Sequence, residues 1–179
     1  AKFLLTVFFF TLFAAHSAKA QLSPNNRLLF VADMTGQQET PAVVTNARGL
    51  VTFLLSEDRT TLRIYGVFSG LSGPITACHI HTGVGGVAGP VFVPFTNNIQ
   101  GNRIHAEIPV PDAFLTEGLA NQLYFNVHTA ANPGGEIRGQ MELMNDVMYA
   151  TVMTGLNETP PVSSAATGLF KLTYSPGDF

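Results

Sequence analysis

The chain has 179 residues, of which 46 % are apolar and only 12 % charged, a length that suits one ordinary domain and part of another. Its 17 glycines and 11 prolines, spread along the sequence, argue against a coiled coil or a long helical bundle. A net charge of -3 with no basic block argues against nucleic-acid binding through phosphates, and a single cysteine, Cys78, excludes an intrachain disulfide framework.

Residues 1–20 (AKFLLTVFFFTLFAAHSAKA) have the layout of a signal peptide. Lys2 is a short basic region, residues 3–15 are almost continuously apolar, and Ala18-Lys19-Ala20 is a small-x-small cleavage site. The apolar run is short of the roughly 20 residues that a membrane span needs. The expectation is an exported protein, secreted, periplasmic or at the cell surface, with no membrane span once the leader is removed.

Short runs of period-two alternation follow, bounded by Gly, Pro and Asn. They predict strands near residues 28–35, 49–55, 61–68, 75–81, 91–93, 103–108, 123–128 and 136–143. Ser56-Glu57-Asp58, residues 70–74, Asn97-Asn98 and residues 132–135 read as turns, and residues 111–121 have room for one helical turn. Many short strands with no amphipathic helix predict an all-β fold, an antiparallel Greek-key β-sandwich.

The sequence also repeats itself at an offset of 119. Met34-Thr35-Gly36, Glu39-Thr40-Pro41, Val43, Gly49 and Leu50 recur as Met153-Thr154-Gly155, Glu158-Thr159-Pro160, Val162, Gly168 and Leu169. A period this long marks tandem domains and not a solenoid. The expected organisation is one domain at 27–145 and the truncated start of a second copy at 146–179, within a longer exported protein.

Alternation sorts side chains between two faces. In residues 76–81 Cys78 and Ile80 share one face, and His79 and His81 the other. In residues 123–128 Leu123, Phe125 and Val127 point inward, and Tyr124, Asn126 and His128 point outward. Two imidazoles in His-x-His are about 7 Å apart at the α-carbons, a spacing that suits two ligands of one Zn²⁺ or Cu²⁺. His128 is the natural third ligand if its strand lies alongside. The Gly-rich stretch at residues 82–90 would let backbone approach whatever the histidines hold. The competing reading is that these histidines hydrogen-bond to turns or to each other's strands and bind nothing. His105 reads as a surface residue, and Cys78 as a small core hydrophobe.

Glu136 and Arg138 stand two apart on one strand face. They could bind a carboxylate ligand, but a structural pair on a solvated face, fixing strand register, is the favoured expectation. Asn126 leads into the Asn132-Pro133-Gly134-Gly135 turn as a structural or ligand-contacting residue. No nucleophile–base pair, paired carboxylate or phosphate loop stands out, so the chain is read as non-enzymatic.

The runs Ala77-Cys78-His79-Ile80-His81-Thr82-Gly83, Gly89-Pro90-Val91, residues 123–129 and residues 132–140 together resemble the CHRD domain, the repeat named after chordin and also found in bacterial exported proteins. Gly36 and Glu39-Thr40-Pro41 are similar to the start of the same domain, and the resemblance restarts near residue 146. It implies an extracellular β module and says little about chemistry. The family is also distantly similar to the copper/zinc superoxide dismutase sandwich, in fold and His-x-His spacing only, so the resemblance implies a sandwich of immunoglobulin-like or superoxide-dismutase-like form. Two expectations result. One is a module for adhesion or for binding an extracellular protein or surface component in tandem copies. The other is a Cu- or Zn-binding domain, open to redox chemistry, built on His79, His81 and His128.

Overall fold

The computed structural model of the chain describes residues 28–144, 147–155, 158–164 and 167–174. The predicted signal peptide lies outside the described residues. The strands are β1 (Leu29–Thr35), β2 (Arg48–Leu55), β3 (Thr61–Ser69), β4 (Ile75–Thr82), β5 (Val91–Pro94), β6 (Ile99–Gln100), β7 (Arg103–Pro109), β8 (Leu123–Thr129), β9 (Ile137–Gln140) and β10 (Glu142–Met144). A single α-helical turn and a half, α1 (Phe114–Leu119), stands where the helical turn was expected.

The fold is all-β and antiparallel. The two layers expected of a sandwich are two halves of one curled sheet, in the order β5-β4-β8-β9-β1-β2-β3-β7-β6, with β10 also on β1. The links β3 to β4, β5 to β6 and β7 to β8 join strands far apart in that order, so the chain passes repeatedly between the halves. Curling brings the apolar faces together: Phe125 of β8 lies 5.7 Å from Phe53 of β2 and 6.0 Å from Phe95. Phe30 of β1 meets Phe114 of α1 edge to face at 5.6 Å. Cys78 and Ile80 are buried in the same core, and burial pushes the Cys78 thiol up to about 12, so it is inert packing. The free edges are short. β5 has four residues and ends in Pro94, and β6 has two, which limits strand addition there.

The predicted strand at 136–143 is divided at Met141 into β9 and β10. The cause is a side chain inserted into the ladder. Gln38 donates from Nε2 to the Asp33 carbonyl at 2.7 Å and accepts from the Gln140 amide on Oε1 at 3.3 Å. One amide side chain thus stands in for a backbone pair between β1 and β9. Register survives the insertion: Thr35 pairs with Arg138, and Val31 with Glu142.

Two further strands, β11 (Val147–Thr154) and β12 (Thr167–Tyr174), form an antiparallel pair of their own. Their register is that of β1 and β2 moved by 119 residues: Met34 pairs with Gly49, and Met153 with Gly168. The loops match too. The Val43 amide donates to the Gly36 carbonyl at 2.8 Å, and Val162 to Gly155 at 2.8 Å.

Phe125 bridges both halves, so Phe125→Ala removes contacts on each side. A loss of about 3–5 kcal/mol is expected in chemical denaturation, a large part of the roughly 5–15 kcal/mol that stabilises an ordinary domain.

Candidate metal centre

β4 and β8 are antiparallel neighbours, with His79 opposite Asn126, His81 opposite Tyr124 and Ala77 opposite His128. The register shifts by one between Ile75 and Ala77. That bulge matters because side-chain period is two. Continued from the Ile75–Thr129 pair without the shift, His79 would face Phe125, and polar side chains would oppose core ones. With the bulge, Cys78, Ile80, Phe125 and Val127 share the core face, and His79, His81, Asn126 and His128 share the other.

The structure brings His79, His81 and His128 together: alternation groups His79 with His81, and the pairing of β4 with β8 adds His128. One ligand nitrogen from each lies within 4.8 Å of the others. His79 Nδ1 is 3.1 Å from His128 Nε2. Two of the three rings are oriented by backbone carbonyls, which only accept. His81 Nδ1 is 3.0 Å from the Gly89 carbonyl, and His128 Nδ1 is 2.9 Å from the Pro133 carbonyl. Each Nδ1 therefore carries the proton and leaves Nε2 as the lone-pair nitrogen, the arrangement that second-shell carbonyls impose on metal ligands. His81 Nε2 is buried and has no hydrogen-bond partner among the described residues. The Asn126 side-chain amide also lies 3.1 Å from His128 Nε2, a contact it can make as a hydrogen bond only through its NH₂ end while Nε2 keeps its lone pair.

Burial, with the neighbouring His128 and His81 rings, holds the His79 pKa below the usual imidazole value. Burial lowers that of His128 as well, against the hydrogen bond to Pro133. Both shifts favour the neutral imidazole that a metal requires.

The row read from sequence as outward is not solvated. Tyr124 is 4 % exposed, Asn126 3 % and Arg138 2 %. The 83–90 loop contacts this face and covers it. The Arg138 guanidinium donates to the Val84 and Val87 carbonyls, each at 2.9 Å, and sits 3.4 Å from the Tyr124 ring centroid. The same Tyr124 ring is stacked with His81 at 4.8 Å and 7°. Its hydroxyl accepts from the Gly89 amide at 3.1 Å. Gln140 donates to the Gly83 carbonyl at 2.9 Å. Gly89 tolerates no side chain, since a Cβ there would fall 1.6 Å from the Thr82 carbonyl oxygen.

Glu136 and Arg138 do not form the expected pair. Glu136 precedes β9, is 0 % exposed and faces away to three loops. Its carboxylate accepts from the Ser72 hydroxyl at 2.6 Å, Thr129 at 2.7 Å, the Ser72 amide at 2.9 Å and Thr45 at 3.0 Å. Burial pushes its pKa up, and these hydrogen bonds outweigh that and hold it below the usual carboxylate value. The expectation of a solvated face fails because both charges are covered by loops distant in sequence. His105 lies on β7, stacked on Tyr65 at 4.3 Å, away from the three-histidine cluster.

Glu39 was not singled out by sequence reasoning. It is buried, its Oε1 has no hydrogen-bond partner among the described residues, and a Cβ on Gly135 would lie 2.4 Å from that oxygen. Burial pushes its carboxyl up to about 7, against the pull of Arg138 and the Thr40 amide. The available signal was the repetition of Glu-Thr-Pro at residues 158–160.

With this geometry in place, the comparison with protein families is direct. The model of the CHRD domain matches residues 30–141, and the chain belongs to the CHRD domain family. No curated protein and no solved structure matches it.

Because its folded pKa lies above its ordinary value, Glu39 contributes stability below about pH 4.5 that is lost as pH rises through about 7. Glu39→Gln is expected to gain stability relative to the native chain at pH 8 and to lose that advantage at pH 4.5. Denaturation midpoints at the two pH values measure the difference.

Proposed function

We propose that this CHRD domain is an exported, non-enzymatic β module that binds one Zn²⁺ or Cu²⁺ ion through His79, His81 and His128. The observation that carries the reading is the convergence of three ligand nitrogens within 4.8 Å, with the His81 and His128 rings oriented by backbone carbonyls. A three-nitrogen set suits both ions and leaves a position for water or the Asn126 side chain. In the metal-free protein the hydrogen bond between His79 and His128 takes up two of the three nitrogens. Binding replaces it with two metal bonds. Copper in such a site would also be open to redox chemistry.

We also propose that residues 147–174 are the opening hairpin of a second copy. The support is the shared register and loop hydrogen bond at an offset of 119. Tandem copies would raise avidity for an extracellular protein or surface component without new contacts.

Metal analysis after dialysis against zinc or copper tests the site. About one equivalent per CHRD domain is expected in the native chain and none in His79→Ala/His81→Ala. Affinity should fall as pH drops through the lowered pKa values of His79 and His128, below the usual imidazole value, where protons compete with the metal for the ring nitrogens. No retained metal, with an unchanged melting temperature on adding either ion, would contradict the reading.

A further inference from the structure

We propose that Arg138 is a positioning residue for the three-histidine centre, acting on His81 through Tyr124 and the 83–90 loop. The proposal rests on the metal-binding reading of that site and assigns a role to a residue that holds none of its ligand atoms.

Arg138 is almost fully buried and makes no contact ion pair among the described residues; Glu39 acts on it only as a nearby charge. Its donors go to the Val84 and Val87 carbonyls and to Gln140 Oε1 at 3.4 Å. A fork of donors is therefore spent on two carbonyls three residues apart, which fixes the curvature of the loop. That curvature sets where the Gly89 carbonyl stands, and the Gly89 carbonyl receives the His81 Nδ1 proton. A second path runs through the rings. Arg138 covers one face of Tyr124 and His81 is stacked parallel to that ring, so the tyrosine is clamped from two sides. The Tyr124 hydroxyl returns to the same loop at the Gly89 amide. Both paths converge on one quantity, the tautomer and orientation of the His81 ring. A buried cation could be replaced by an apolar side chain of similar volume at little cost to folding. Its chemistry here is the simultaneous hold on two carbonyls and a ring, which a lysine, with a single ammonium, does not reproduce.

Three proteins test this: the native chain, Arg138→Met and Arg138→Lys. In the metal-free state, ¹⁵N-resolved NMR of the imidazoles reads the tautomer of His81, and amide exchange reads Gly89. The native chain is expected to show a single Nδ1–H tautomer of His81. Both variants are expected to show mixed tautomers and Gly89 exchange at least about tenfold faster. In zinc titrations their affinity should fall about 10–100-fold, the usual effect of losing an outer-shell partner. Folded variants with the native tautomer, native Gly89 exchange and native zinc affinity would overturn the proposal. If neither variant folds, Tyr124→Phe, which removes the acceptor of the Gly89 amide and keeps the ring, must show the same faster exchange and weaker zinc binding, or the proposal fails. If the native chain takes up no zinc, the metal reading falls, while the His81 tautomer and Gly89 exchange still decide whether Arg138 positions the ring.

Discussion

A buried guanidinium that makes no contact ion pair among the described residues, with Glu39 acting on it only as a nearby charge, is the constraint on which the polar face of this domain depends. Taking Arg138 out of water costs several kcal/mol unless its donors are satisfied. On this face the satisfaction comes from backbone carbonyls at Val84 and Val87 and from the Tyr124 ring. To deliver those carbonyls the loop must double back over β4 and β8. Gly83 and Gly86 take positive φ, at 155° and 78°, and Gly89 packs where no Cβ fits. Close packing of backbone thus explains Gly83 and Gly89, and the turn conformation explains Gly86, whereas a Cβ on Gly85 would meet open space. The histidines beneath inherit their orientation from the same loop.

The second buried charge is handled by the same logic in reverse. Glu136 is surrounded by neutral donors from Thr45, Ser72 and Thr129, which belong to three separate segments. One carboxylate therefore ties together the loop after β1, the loop before β4 and the end of β8. The end of β8 leads into the 132–135 turn, whose Pro133 carbonyl orients His128. The two charges that stand two residues apart in sequence thus brace opposite sides of the histidine cluster. Arg138 supports His81, and Glu136 supports the turn beside His128.

How much of this was legible follows from the range of each interaction. The core face of β4 and β8 was readable because alternation is local: Cys78, Ile80, Phe125 and Val127 are all buried. The grouping of His79 with His81 was readable for the same reason. The approach of His128 required strand adjacency and a bulge near Thr76, which no local pattern encodes. The burial of Tyr124, Asn126 and Arg138 was misread because the alternation rule assigns a face and does not say what lies on it. The cover is a loop whose contacts lie 35 residues from Tyr124 and 51 and 54 residues from Arg138. Glu136 and Arg138 looked like partners because their spacing was visible, whereas Thr45 and Ser72, 91 and 64 residues away, were not. Gln38, which divides the last predicted strand, acts across a separation of 102 residues.

The proposed site would put a metal ion where the hydrogen bond between His79 and His128 stands. X-ray absorption on the zinc-loaded protein tests it most directly. Three imidazole nitrogens are expected at about 2.0–2.1 Å from zinc, with one imidazole lost from the shell in His128→Ala. Zinc held by fewer than three imidazoles in the native chain, or a shell unchanged in His128→Ala, would contradict it.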